Sequence, residues 1–150
     1  GHNKENRFEM PDEFNAIKSA EGWQLSNPPI LSLAAIRASL SIFDEVGMEP
    51  LVVKSREMTN YMEFVLNDIS NRYDNCNFEV ITPQAQAARG CQLSVLMHGQ
   101  GKDLFDFLTQ EGVIADWREP NVIRLAAIPL YNSFEDVYML GKVLEKGLQQ

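Results

Sequence analysis

Cysteine, histidine and positive charge are all scarce in this chain of 150 residues. The two cysteines, Cys76 and Cys91, give no disulfide framework, and neither belongs to a CxxC pair. The two histidines, His2 and His98, lie too far apart in the sequence to support a zinc site together with those cysteines. We therefore expect a reduced, cytoplasmic protein without a metal site.

The same scarcity argues against two classes of partner. Lysine and arginine number 13 against 21 aspartates and glutamates, and the formal net charge is -8. Binding to nucleic acid requires clustered basic side chains, so we expect no nucleic-acid partner. No segment approaches the roughly 18 consecutive apolar residues of a membrane span. The polar N-terminus also differs from a signal peptide, so no membrane partner is expected.

What the chain does contain is ordinary globular material. Hydrophobic residues make up 45% and charged residues 23% of the sequence. A chain of this length can bury a substantial core, and it shows no internal repeats, low-complexity tracts or long linkers. We predict a single domain over residues 1–150, in which residues 1–25 form an irregular lead-in.

The first predicted elements are helical. A short helical stretch is expected around Pro11 to Ala20. Asn27 before two prolines is typical of an N-cap and a first helical turn, and it predicts a helix that ends at Gly47. A second helix is predicted from about Glu49 to Tyr73, followed by strands over Phe78 to Ile81 and Cys91 to Met97. A helix over Lys102 to Gln110 comes next, and then a strand or strand pair over Val113 to Ile128 that is interrupted at Glu119-Pro120-Asn121. A capping-box variant of Ser133 and Asp136 opens the last predicted helix.

This order lacks the regular alternation of βαβ units. It predicts the α+β class, with a short antiparallel or mixed sheet of three to four strands and helices packed on one side. The longest predicted helix has an apolar stripe that should face this sheet, consisting of Leu51, Met58, Met62, Val65, Leu66 and Ile69.

Arg124 is the most informative residue, because it lies inside an apolar, strand-like run from Asn121 to Ile128. A guanidinium cannot lose its charge, so its burial beside Val122 and Leu125 is costly without an anionic partner. Two interpretations are open at this point. The first is an edge-strand arginine in water, or else a structural ion pair, and the second is a bidentate fork for a carboxylate or phosphate.

Other polar residues favour structural interpretations. Tyr131 and Asn132 could position Arg124, but a turn before the last helix is favoured. Arg89-Gly90 is interpreted as a tight strand entry in which glycine supplies unusual backbone angles. Cys91 is interpreted as a small core residue, and the tryptophans Trp23 and Trp117 as partly buried packing. The carboxylates interpreted as surface and capping groups, rather than as an acid–base pair, are Asp116, Glu119, Glu135 and Asp136.

Several runs of the sequence resemble the C-terminal part of kynureninase. The most specific are Ser26-Asn27-Pro28-Pro29-Ile30-Leu31 and Pro129-Leu130-Tyr131-Asn132-Ser133-Phe134-Glu135-Asp136-Val137. Arg89-Gly90-Cys91-Gln92-Leu93, Gly112-Val113 and Ile123-Arg124 fall in the same order at similar spacing. The resemblance covers essentially the whole chain, and it implies the small C-terminal domain of a fold-type-I enzyme that uses pyridoxal 5'-phosphate (PLP).

The resemblance implies roles for three residues. Arg124 matches the family arginine that pairs with the substrate α-carboxylate. Asn27 matches the asparagine that helps to bind the cofactor phosphate, and Ser26 is implied to lie near the substrate. The intact enzyme is implied to be a homodimer that hydrolyses L-kynurenine, or its 3-hydroxy form, to anthranilate (or 3-hydroxyanthranilate) and L-alanine.

The resemblance also implies that part of the enzyme is absent. A PLP enzyme needs a Schiff-base lysine, which in this family lies in the larger domain, before the start of this chain. The chain opens at Gly1 without an initiator methionine, as a native residue or as a remnant of a tag. We expect the fragment alone to be inactive and to bind no PLP. None of the lysines in this chain resembles the cofactor lysine, because all lie in polar loop or exposed-helix contexts. They are Lys4, Lys18, Lys54, Lys102, Lys142 and Lys146.

Two alternatives are kept beside this interpretation. The chain could be the small domain of another fold-type-I enzyme, such as a cysteine desulfurase or an aminotransferase, since these also carry a carboxylate-binding arginine. It could also be a free-standing α+β module that captures a carboxylate through Arg124.

Overall fold

The computed structural model describes residues 1–3, 8–73, 77–99 and 101–149, so Cys76 lies outside the described residues. The chain divides into two compact units, Gly1–Glu45 and Val46–Gln150. The first unit begins with an antiparallel bridge between His2 and Ala16. Because this backbone pairs with a distant segment, it does not form the i→i−4 ladder of a helix. The helical stretch expected around Pro11 to Ala20 is therefore wrong, and a 3-10 turn over Ala20–Trp23 follows instead.

The first long helix, α1, spans Ile30–Val46. It begins two residues later than predicted, and at this end Leu33 N–H donates to Pro29 C=O at 3.0 Å. Asn27 therefore lies three residues before the first helical residue and not beside it. The predicted stop at Gly47 is confirmed, since this glycine has a φ of 80°, a conformation that other residues rarely adopt. No residue of α1 is buried.

The second unit is built on one antiparallel sheet of four strands in the order β1-β2-β4-β3. Strand β4 is interior, because β2 pairs with it on one side and β3 on the other. The predicted short sheet with a turn near Pro120 is thus confirmed, and its strands are all antiparallel. The strands are β1 (Phe78–Val80), β2 (Gln92–Met97), β3 (Asp116–Arg118) and β4 (Val122–Ala126).

Three helices of the second unit cover one face of this sheet. They are α2 (Met48–Arg72), α3 (Gly101–Gln110) and α4 (Phe134–Leu148). Burial alternates along the central strands, as expected when a sheet has one face in the core. The inward residues of β2 and β4 share a single apolar cluster with all three helices, which includes Leu93, Val95, Ile123, Leu125, Met62, Leu66, Leu108 and Leu144. The predicted α+β class with helices on one side is therefore confirmed.

Helix α2 supplies the largest share of this cluster. The predicted stripe is confirmed, with five of its six members buried and Val65 partly buried against the core. Burying one such large side chain contributes about 1.5–3 kcal/mol, so the stripe fixes which face of α2 meets the sheet. In the described part of the chain, no helix is both long and apolar enough to cross a membrane.

Helix α4 begins where the sequence predicts. The Ser133 side chain accepts a hydrogen bond from Asp136 N–H at 3.2 Å, and the Asp136 carboxylate accepts one from Ser133 N–H at 2.7 Å. This reciprocal capping box is confirmed. Further along, Gly141 lets α4 approach α2 closely, because a Cβ at this position would lie only 2.6 Å from Cγ1 of Val65.

Candidate functional site

The sheet of the second unit has one face that the three helices leave uncovered, which we call the open face. Side chains on it alternate with those of the core. Its members on β2, β4 and the edge strand β3 are Gln92, Ser94 and Leu96 on β2, Val122, Arg124 and Ala126 on β4, and Asp116 and Arg118 on β3. Most of its charged atoms come from one hairpin, formed by β3 and β4.

Arg124 occupies the middle of this face. Ser94 of β2 stands opposite it on one side, and Asp116 of β3 stands opposite it on the other. The interpretation as an edge-strand arginine is therefore wrong, because β4 is an interior strand. The alternative of an ion pair is confirmed, since Arg124 forms a salt bridge with Asp116. Its side chain is nevertheless 33% exposed, so the guanidinium remains accessible from outside the sheet.

The contacts of Asp116 are concentrated on a single oxygen. Arg124 Nε–H donates to Asp116 Oδ2 at 2.6 Å, and Arg124 Nη2 pairs with the same atom. Arg118 Nε also lies 2.9 Å from this oxygen. Two guanidiniums thus share one carboxylate, which leaves the cluster with an excess of one positive charge. Such a surface attracts a further anion.

The geometry leaves part of the Arg124 guanidinium available. A guanidinium has five N–H donors in two usable edges, and Asp116 takes the edge formed by Nε and Nη2. The end fork, made of Nη1 and the second N–H of Nη2, has no hydrogen-bond partner among the described residues. This fork matches a carboxylate with two parallel hydrogen bonds. The open face can therefore bind a carboxylate without breaking the Arg124–Asp116 pair.

Asn132 belongs to the turn before α4, as the sequence favoured. Its side-chain oxygen accepts a hydrogen bond from Ile128 N–H at 2.9 Å. Lys54 completes this turn, since its ammonium donates to Pro129 C=O and to Asn132 C=O, each at 2.8 Å. Tyr131 is exposed. The sequence contained no signal for the role of Lys54, which lies on α2, far from the turn in the chain.

Ser26 and Asn27 lie in the first unit, just ahead of α1. Both are exposed, and the Ser26 carbonyl accepts a hydrogen bond from the Gln24 side chain at 2.8 Å. Ile30 and Leu31, the first residues of α1, are exposed as well. Backbone N–H groups at such a helix start carry partial positive charge. The predicted phosphate-binding role of Asn27 is chemically compatible with this placement and stays a prediction.

The interpretation of Arg89-Gly90 is wrong in one respect. Gly90 is not among the glycines with positive φ, so it supplies no unusual backbone angle. The important group is the Arg89 side chain, which is only 4% exposed and donates to Glu63 at 2.7 Å and to Asn60 at 3.0 Å. Sequence reasoning missed this buried pair, because Glu63 lies on a different element and 26 residues away.

The remaining candidates behave as packing and surface groups. The Trp117 ring packs against Phe105 with centroids 5.8 Å apart, and its N–H donates to Glu119 at 2.9 Å. Trp23 is exposed, which differs from the partly buried packing predicted for it. Cys91 is a half-buried free thiol just before β2. Within the described ranges, no three metal-ligating side chains come together.

Comparisons with known proteins are consistent across the chain. The family profile described as the kynureninase C-terminal domain matches residues 51–144. The chain is 53% identical over 148 residues to a kynureninase of Flavobacterium psychrophilum and 55% identical over 148 residues to one of Christiangramia forsetii. A kynureninase of Myxococcus xanthus is 47% identical over 145 residues. These alignments cover 99%, 99% and 97% of this chain but 35%, 35% and 33% of the relatives. The chain therefore spans about a third of the length of these relatives.

Proposed function

Because this chain belongs to the kynureninase family and matches its C-terminal domain, we propose that it is the substrate-clamping part of an enzyme that hydrolyses kynurenine. The intact enzyme would cleave L-kynurenine, or 3-hydroxykynurenine, to L-alanine and the corresponding anthranilate. The observation that carries this proposal is Arg124 on the open face, with its end fork directed to no protein group among the described residues. The fork is suited to the α-carboxylate of an amino acid.

A fixed carboxylate serves the chemistry of this reaction. When bound, PLP supplies an electron sink for the bond that breaks. Which bond breaks depends on the orientation in which the amino acid is held, so the carboxylate must be pinned. Arg124 can pin it in one plane with two parallel hydrogen bonds, whereas a lysine would provide only a point charge. An interior strand makes a rigid base for such a clamp.

The residues of this chain fit a minor share of the cofactor site. Asn27 and the first N–H groups of α1 are suited to part of the cofactor phosphate, and Ser26 would lie near the substrate. The described lysines are not suited to a Schiff base. Lys54 is held by two carbonyls, Lys18 is exposed, and Lys4 lies outside the described residues. The lysines held in ion pairs are Lys102 with Asp106, Lys142 with Glu145 and Lys146 with Glu111.

The chain would therefore act only together with the larger domain of the full-length protein, as a homodimer. Helix α1 supports the need for a partner, because it exposes many apolar side chains that water solvates poorly. These are Ile30, Leu31, Leu33, Ile36, Leu40 and Ile42. Turnover of kynurenine by the 150-residue chain alone would contradict this assignment, as would a monomeric full-length enzyme at working concentration in light scattering.

The decisive test uses the full-length protein and follows kynurenine cleavage by the fluorescence of anthranilate. Replacing Arg124 by alanine removes a charge-assisted bidentate contact, which should cost about 2–5 kcal/mol of transition-state binding. The expected result is a fall in kcat/KM of at least about thirtyfold with PLP still bound. Arg56→Ala, which removes an exposed arginine of α2, is the matched control.

Other outcomes would separate the alternatives. Unchanged activity in Arg124→Ala would make Arg124 a structural residue, while the enzyme assignment would stand. Desulfuration of cysteine in place of kynurenine cleavage would assign the chain to another fold-type-I enzyme. Carboxylate binding by the isolated chain, without the larger domain, would favour the free-standing module.

A further inference from the structure

The carboxylate that faces Arg124 has a geometry that suggests a role of its own. Asp116 stands directly opposite Arg124 in the β3–β4 register, so the pairing of the two strands fixes the distance between the two side chains. Arg118 lies two residues further along β3 and therefore on the same face. Its Nε lies 2.9 Å from the same oxygen of Asp116. The Asp116 carboxylate is thus held between two guanidiniums.

We propose that Asp116 is a positioning residue, which orients the Arg124 guanidinium so that its end fork meets the substrate carboxylate. This inference rests on the proposed function, because it assigns Asp116 a role through Arg124. The edge of the guanidinium that Asp116 occupies shows whether Asp116 positions Arg124 or competes with the substrate carboxylate for it. Asp116 engages Nε and Nη2 through one oxygen, and it leaves the end fork of Nη1 and Nη2 intact. A competitor for the substrate carboxylate would occupy that end fork.

Asp116 restricts the rotation of the Arg124 guanidinium. An arginine side chain has several rotatable bonds, and its head is immobilised only when a fixed partner holds it. On the β2 side of Arg124, Ser94 does not supply such a hold, because these two side chains form no hydrogen bond with each other; the Ser94 hydroxyl accepts one from the Gln92 amide at 3.4 Å. Asp116 is therefore the one described residue that fixes the plane of the fork.

Charge supports the same assignment. With Arg118 and Arg124 both bonded to it, Asp116 neutralises only one of two positive charges. The cluster of Asp116, Arg118 and Arg124 keeps one net positive charge beside the fork, while the plane of Arg124 is set. Glu79 of β1 adds a carboxylate elsewhere on the open face. Losing the Asp116 charge would make the face more positive but would release the fork. Positioning and simple charge attraction therefore predict opposite effects of the same substitution.

The test compares two substrates in the full-length enzyme, L-kynurenine and its α-carboxamide, which lacks the negative charge. The measured quantity is the ratio of their kcat/KM values. A misplaced clamp can cost up to about a hundredfold, and we expect Asp116→Asn to lower this ratio about tenfold. The kcat/KM for the carboxamide should change little. Asp106→Asn, at an exposed ion pair of α3, is the matched control and should keep the wild-type ratio.

A double-variant cycle shows whether Asp116 acts through Arg124. In an Arg124→Ala background, Asp116→Asn should lower the ratio no further. Asp116→Glu retains the charge and should recover most of the ratio, and it also serves as the second variant if Asp116→Asn folds poorly. A rise of the ratio in Asp116→Asn, an unchanged ratio, or an equal fall in both backgrounds would overturn the inference. If Arg124→Ala itself left the ratio unchanged, the proposed clamp and the inference would both be wrong.

Discussion

Two arginine–carboxylate pairs of the second unit differ in what surrounds them. Arg89 and Glu63 have side chains only 4% and 19% exposed, and Asn60 adds a further hydrogen bond. Arg124 and Asp116 are 33% and 46% exposed and stand on the open face of the sheet. The first pair joins the segment before β2 to helix α2, and the second presents a fork to solvent. An arginine–carboxylate pair thus joins two segments in one place and, in the other, leaves an accessible guanidinium on a sheet face.

Pairing with a carboxylate does not by itself identify a structural arginine. A buried charge must have its partner, because the loss of one member leaves the other in a poorly solvating environment. An exposed pair contributes little to stability, since water and salt screen both charges. Arg124 can therefore keep its partner and still offer its end fork to a ligand. Arg89 is only 4% exposed and not accessible in this way, although its Nη1 has no hydrogen-bond partner among the described residues.

The largest expected effect is on stability, at the buried pair. Arg89→Ala leaves Glu63 without its partner and should cost about 3–5 kcal/mol of folding stability. Hydrogen exchange of the β2 backbone amides should accelerate in proportion, because β2 follows Arg89 directly. The Arg56→Ala variant should stay within about 0.5 kcal/mol of the wild type. Unchanged exchange in β2 would remove the distinction between the two pairs.

A cation held by carbonyls should give an intermediate effect. Lys54→Met leaves the carbonyls of Pro129 and Asn132 without their ammonium donor, which should cost about 1–3 kcal/mol. The thermal unfolding midpoint measures this loss, and the exposed Lys18→Met is the control. A midpoint equal to that of the control would show that water replaces the ammonium without cost.

The smallest expected effect is on the pH dependence of stability. It concerns Asp136, a carboxylate that belongs to neither arginine pair. The pKa of Asp136 lies below its ordinary value of 3.8, chiefly because the Ser133 N–H donates to it, with further help from the Asn132 and Ser133 side chains. A lowered pKa in the folded state stabilises the protein above the ordinary value, and this contribution is lost as the pH falls through the folded pKa. The thermal midpoint of the wild type should fall as the pH is lowered from 6 to about 3, and the midpoint of Asp136→Asn should fall by less over the same range.

The control for this pH series is Asp103→Asn, an exposed aspartate in the first turn of α3. It should keep the wild-type pH dependence in the same range. An equal reduction in both variants would indicate that general charge repulsion, and not the capping box, sets the acid sensitivity.

Local patterns were the predictable part of this fold. The stripe of α2 and the capping box of α4 depend on residues within a few positions of each other, and both are confirmed. The helix expected around Pro11 to Ala20 failed because this backbone pairs with the start of the chain, a contact that no local pattern contains. The interpretation of residues 1–150 as a single domain stays a prediction.

Arg124 could be singled out as a candidate residue from the sequence, but its partners on the hairpin could not. Arg124 was identified from a charge inside an apolar strand, whereas Asp116 was interpreted only as a surface group. One signal could have revealed it, since Asp116 and Arg124 lie equally far from Pro120 on the two sides of the hairpin turn. The Arg89–Glu63 pair had no such signal, because its members meet only through the packing of α2 against the segment before β2.

The most direct test of the account measures Arg124→Ala and Arg89→Ala side by side in the full-length enzyme, for both thermal midpoint and kcat/KM with kynurenine. Arg124→Ala should keep the wild-type thermal midpoint and lose at least about thirtyfold in kcat/KM. Arg89→Ala should have a lower thermal midpoint than the wild type. At a temperature where this variant remains folded, it should keep most of the wild-type kcat/KM. A destabilised Arg124→Ala variant with wild-type kcat/KM would contradict the account.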